Sequence, residues 1–202
     1  MLIINIIISS IIQIILFSII PYLWWFITKR KKIKFLEWIG IKKPKISDKR
    51  KFITLFLVTT ILFLMLSIGM LIMVKDLEIA TSEFTGLGFK ALLPAIIYAF
   101  IQTAFTEELF FRGFLTKVLI NGFGFKLGNF IQSLTFGLLH LVMFYGVAGF
   151  YKSFIIFLFT GVIAWFMGYI NEKLADSSIY PSWLMHGVSN MFSSIISMFN
   201  II

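Results

Sequence analysis

The segment from Leu2 to Ile27 is an almost unbroken apolar run, interrupted only by Asn5, Ser9, Ser10, Gln13 and Ser18. It exceeds the ~20 residues that carry a helix through a bilayer, so a chain containing it cannot fold as an ordinary globule in water. The remainder extends the constraint. Of 202 residues, 59% are hydrophobic and 13% charged, where soluble domains use about 45–50% and about 25%. A cytoplasmic enzyme, a secreted disulfide scaffold and a disordered tail are thereby excluded. The absence of cysteine removes disulfides, thiolate metal sites and cysteine nucleophiles together. No positive residue precedes the first run and no small-residue cleavage site follows it, which makes it a retained anchor rather than a signal peptide.

Five further apolar segments follow, at Phe52 to Val74, Ala91 to Leu119, Leu127 to Val147, Ser153 to Ile170 and Ile179 to Ile202. The expected fold is all-α: a polytopic transmembrane helix bundle of about six spans, forming a single membrane-embedded domain over residues 1–202. The net charge of +9 is unevenly spread, because 11 of the 18 basic residues lie between Lys29 and Lys51. The positive-inside rule places this basic loop, 29–51, in the cytoplasm, and the short loop carrying Asp76, Glu78 and Glu83 outside. A multi-pass protein of the cell membrane with both termini extracytoplasmic results. The basic run is then a topology signal with some affinity for anionic lipid, about 1 kcal/mol per residue near the surface. No aromatic stacking pattern, RNA-binding signature or zinc finger accompanies it, so nucleic acid is not an expected partner.

Ionisable groups inside spans cost roughly 2.5–3.5 kcal/mol by insertion scales and point to function. The third span holds Glu107, Glu108 and Arg112, the fourth His140, and the sixth His186 and Asn190. Glu108 and Arg112 are spaced i, i+4 with the acid first, the favoured order for an ion pair on one helix face. Glu107 lies about 100° further round a regular helix, which leaves it free for chemistry. Phe136 and His140 share a face by the same spacing, as do His186 and Asn190. At 1.5 Å per residue, Glu107 and His140 lie ~15 and ~18 Å from the cytoplasmic ends of their spans, and His186 and Asn190 roughly 8 and 14 Å. One cytoplasm-facing layer would therefore receive an acid, two imidazoles and an amide.

A carboxylate in an apolar site is a usable general base, and a neutral imidazole can share its water. Glu107 with His140 suits water activation. His186 and Asn190, as donors, suit the oxyanion that forms when water attacks an amide carbonyl. Zinc held by His140, His186 and Glu107 is the competing account, but HExxH is missing and an amide is a poor zinc ligand, so the expectation is catalysis without a cofactor. GxSxG and SxxK are absent, which disfavours a serine mechanism.

The runs EELFFR at Glu107 to Arg112, FGLLH at Phe136 to His140 and HGVSN at His186 to Asn190 resemble the EExxxR, FxxxH and HxxxN motifs of one family. It is the CAAX prenyl protease and bacteriocin-processing (CPBP, or Abi) family of intramembrane proteases. The motif-bearing core spans about residues 91–190. The resemblance implies that Glu107 and His140 activate water and that His186 and Asn190 form the oxyanion hole, with Glu108 and Arg112 as support; Phe136, packed along the face of His140, is also counted as support. Members cleave C-terminal tripeptides from prenylated proteins, and bacterial relatives are linked to bacteriocin immunity and peptide maturation. The bias to Ile, Lys and Phe suggests a bacterium, where CAAX substrates are generally lacking, so the expected substrates are peptides or membrane proteins within the lipid bilayer. The alternative is a non-catalytic bacteriocin-immunity or scaffold protein of the same fold. A transporter or ion pathway would need a polar relay reaching both faces, and ionisable groups occupy only the cytoplasmic half.

Overall fold

A computed structural model describes residues 1–202 and contains helices and no strands. Three helical stretches are long and apolar enough to cross a membrane: Leu2–Thr28, Lys49–Val74 and Gly88–Leu174. The first two are single helices, α1 (Leu2–Thr28) and α3 (Lys49–Val74). Between them the chain forms α2 (Phe35–Ile39), a short helix closed by Gly40 at φ 91°, where the left-handed conformation favours glycine.

The stretch Gly88–Leu174 is not one rod. Its backbone leaves the helical conformation at Gly124 (φ 75°, ψ 168°) and Gly149 (φ 75°, ψ 170°), values a Cβ would oppose. These breaks divide it into α4 (88–123), α5 (125–148) and α6 (150–174), and α7 (Tyr180–Met198) follows. Contacts across the breaks are antiparallel. Phe111 packs against Phe136, and Asn129 Nδ2 donates to the Trp165 carbonyl at 3.0 Å.

Small residues set the closest approaches. Ala91, Ala95 and Ala99, at i, i+4 spacing on α4, are all fully buried and share a cluster with Met198 of α7. In lipid there is no hydrophobic drive between helices, so such stripes, which let backbones approach, carry association. Polar side chains supply the rest. Ser67 of α3 and Ser189 of α7 share a hydrogen bond at 2.6 Å.

The basic loop is more structured than a topology signal requires. Ile39 is fully buried beside Leu109 and Phe114. Lys117 Nζ donates to the carbonyls of Trp38 (2.9 Å) and Ser177 (3.0 Å), Ile179 N–H donates to the Gly40 carbonyl, and Ser178 Oγ donates to the Lys42 carbonyl at 2.7 Å. The loop between α1 and α3 is thus clasped to the turn between α6 and α7.

Candidate active site

Winding in α4 places the acidic pair. Ile97–Phe105 and Leu109–Leu115 are π-helical, with Thr106–Glu108 as a short α-helical link between them. Such wide turns concentrate at functional sites. The uniform 3.6-residue turn assumed from the sequence therefore does not hold here, and the two acids differ in exposure while both lie near the His186 ring. Glu108 is 0% exposed and Glu107 21%.

Glu108 is committed on two sides. Arg112 Nη1 lies 3.0 Å from its Oε1, and His186 Nδ1 lies 3.0 Å from the same oxygen. Nη1 has no aligned hydrogen bond, so the arginine balances the acid as a charge rather than as a directed donor. The guanidinium instead lies 4.2 Å above the Phe136 ring, a favourable cation–π geometry. Phe136 is the hub of the cluster: its ring also meets His140 at 4.5 Å and His186 at 6.2 Å between centroids.

Hydrogen-bond logic assigns the imidazole protons. A carbonyl only accepts, so the 2.9 Å contact between His140 Nδ1 and the Phe136 carbonyl puts the hydrogen on Nδ1 and leaves Nε2 with a lone pair in the neutral ring. For His186, an ionised Glu108 beside Nδ1 imposes the same tautomer. Its Nε2 then faces Glu107 Oε2 at 3.9 Å. Glu107 Oε2 is buried and receives no hydrogen bond from the protein.

The structure brings Glu107, Glu108, Arg112, Phe136 and His186 together, with His140 against Phe136. The imidazole within 4.0 Å of Glu107 is His186; no nitrogen of His140 comes that close to a carboxylate. Asn190 lies one turn further along α7, where its Nδ2 donates to Thr103 Oγ1 at 2.7 Å. His186 and Asn190 thus face different partners. Sequence reasoning missed Thr103. Its signal was present, since it sits four residues before Glu107 as a polar group inside an apolar segment.

No three His, Cys, Asp or Glu side chains are placed so that they could hold a metal ion together. Nδ1 of His186 faces Glu108 and Nδ1 of His140 faces the Phe136 carbonyl, so in both rings Nε2 is the nitrogen left to meet water, substrate or a metal ion.

Residues 89–192, half of the chain, match the family described as Rce1-like, type II CAAX prenyl endopeptidase Rce1-like. No curated protein and no solved structure matches the chain.

Proposed function

The chain belongs to the Rce1-like type II CAAX prenyl endopeptidase family, and from that premise we propose that it is an intramembrane protease in which Glu107 activates water against a peptide bond. The observation that carries this reading is the contrast between two adjacent acids. Glu108 is closed in by Arg112 and His186, whereas Glu107 is partly open and has a buried oxygen with no protein donor.

Water held by Glu107 gives up a proton to that carboxylate as its oxygen attacks the substrate carbonyl, and His140 offers its Nε2 lone pair to the same water. Asn190 spends one of its two N–H groups on Thr103 and keeps the other for the developing oxyanion. For His186 to donate to that oxyanion, Nε2 must carry a proton while Nδ1 faces Glu108, which means an imidazolium. The 3.9 Å approach of His186 to Glu107 also favours a second reading, in which His186 rather than His140 shares the water with Glu107.

Six membrane crossings, by α1, α3, α4, α5, α6 and α7, complete the proposed topology. The basic loop and the site opening lie on the cytoplasmic side and both termini outside. The proposed substrates are peptides or membrane proteins reached within the bilayer.

Comparing the peptide content of membranes carrying the native chain or Glu107→Ala by mass spectrometry tests the assignment. A specific product lost in the variant is expected. Identical peptide content from two equally abundant proteins would leave a scaffold or immunity protein instead. Cleavage by purified protein should persist after exhaustive chelation. Activity that vanishes with chelator and returns with zinc would replace the glutamate scheme by metal catalysis.

A further inference from the structure

We propose that the cleft between the start of α3 and the adjoining ends of α5 and α6 binds the phosphate headgroup of an anionic phospholipid. The cleft measures about 800 Å³ and is lined by Lys51 of α3, Lys126 of α5 and Lys173 of α6, with Asp48 as its single acid. That carboxylate is already engaged as the cap of α3, accepting from the Lys51 N–H at 2.9 Å. None of the three lysines pairs with a carboxylate. Their ammonium groups come from distant parts of the sequence, so folding rather than a run of like charge brings them together.

The aromatic walls give the cleft a fixed form. Trp165 stacks on Tyr169 at 5.8 Å and 16°, and the Phe125 ring meets Tyr169 edge-on at 5.9 Å. Lys173 Nζ lies 4.4 Å above Phe125 and Lys51 Nζ 5.5 Å from Tyr169. Cation–π attraction holds both ammonium groups at the mouth, so less freedom is lost when an anion arrives. Each ammonium retains donors for phosphate oxygens.

Two features favour a lipid over free phosphate. Tyr and Trp gather where apolar helices meet the headgroup layer, and here Trp165 and Tyr169 lie in the last three turns of α6. Below the cleft, exposed apolar side chains continue on both flanking helices, with Leu158 and Val162 in register with Trp165 and Tyr169 on α6, and Phe130 and Leu134 in register with Lys126 on α5. A headgroup in the cleft would lay its acyl chains along these ridges. Lys51 also ends the basic stretch, so the cleft opens to the leaflet that this stretch faces, where such charge attracts anionic lipid.

Native mass spectrometry of the purified full chain in detergent with added phosphatidylglycerol, phosphatidylcholine or inorganic phosphate tests the proposal without reference to proteolysis. Phosphatidylglycerol should be retained in preference to phosphatidylcholine. The variant Lys51→Ala/Lys126→Ala/Lys173→Ala should lose that preference, by about fivefold in affinity per lysine. A variant with the same charge change in the basic loop, Lys31→Ala/Lys32→Ala/Lys45→Ala, should keep it, because the loop's attraction is to an anionic bilayer surface and detergent offers none. Equal losses in the two variants, equal retention of the two lipids, or displacement of phosphatidylglycerol by inorganic phosphate would each overturn the assignment. Should the triple variant fold poorly, the exposed single change Lys126→Glu must still weaken phosphatidylglycerol retention.

Discussion

The two N-terminal helices and the stretch from Gly88 to Leu174 are all apolar enough to cross a membrane, yet they meet the rest of the protein very differently. In the most apolar 18-residue windows of α1 and α3 only 11% of residues are buried, against 44% in the corresponding window of Gly88–Leu174. Hydropathy reports what a helix will dissolve in; it does not report what the helix will touch. Leu and Ile gain nothing by leaving lipid tails for a neighbouring helix, whereas small residues and polar groups do. Accordingly α1 exposes Ile4, Ile7, Ile11 and Ile15, while Glu108, Arg112, Asn129 and Gln132 are fully buried in α4 and α5.

The largest effect that sharpens this contrast is expected at Arg112. Arg112→Ala leaves Glu108 buried and uncompensated at about 3–5 kcal/mol, read as lost yield and a lowered melting temperature. A stable but inactive variant would move Arg112 from the supporting framework to the reacting groups. Asn190→Ala comes next. It should lower the catalytic rate by about 100- to 1000-fold while stability falls by only about 0.6 kcal/mol for the lost contact to Thr103. Equal damage to both would make the amide an interhelical tie alone.

Smaller changes probe the backbone. A Cβ at Gly137 would meet the Phe157 carbonyl oxygen of α6 at 2.7 Å, and Gly137→Ala should cost about 1–3 kcal/mol in thermal unfolding. A Cβ at Gly69 of α3 would meet nothing within 4 Å. Gly69→Ala should therefore be neutral or stabilise by up to about 1 kcal/mol; a clear loss there would show that α3 is packed where it now faces lipid.

Much of the site was legible in the sequence because its cues are local. The i, i+4 relations of Glu108 with Arg112 and of Phe136 with His140 survive folding. Partners on other helices were not legible. His186 was grouped with Asn190 because spacing rules see only one helix, whereas in the fold each finds its partner on α4, Glu108 and Thr103 respectively. The helix α2 was missed for a different reason. Its five residues lie between lysines, and their apolar character has meaning only against Leu109 and Phe114.

The clasp between the basic loop and the last turn has a consequence for how the chain comes to be assembled. Ser178 and Lys42 are 136 residues apart, and contacts of such sequence separation form late because loop closure must precede any gain from them. The loop, made early, has to wait beside the membrane until α4, α5 and α6 are in place. His186 arrives on α7, after the same delay, so Glu108 spends synthesis with Arg112 as its partner and no imidazole donor. The arrangement around Glu108 is thus completed only with α7, and a chain halted before that helix holds α1 to α6 without His186 and Asn190.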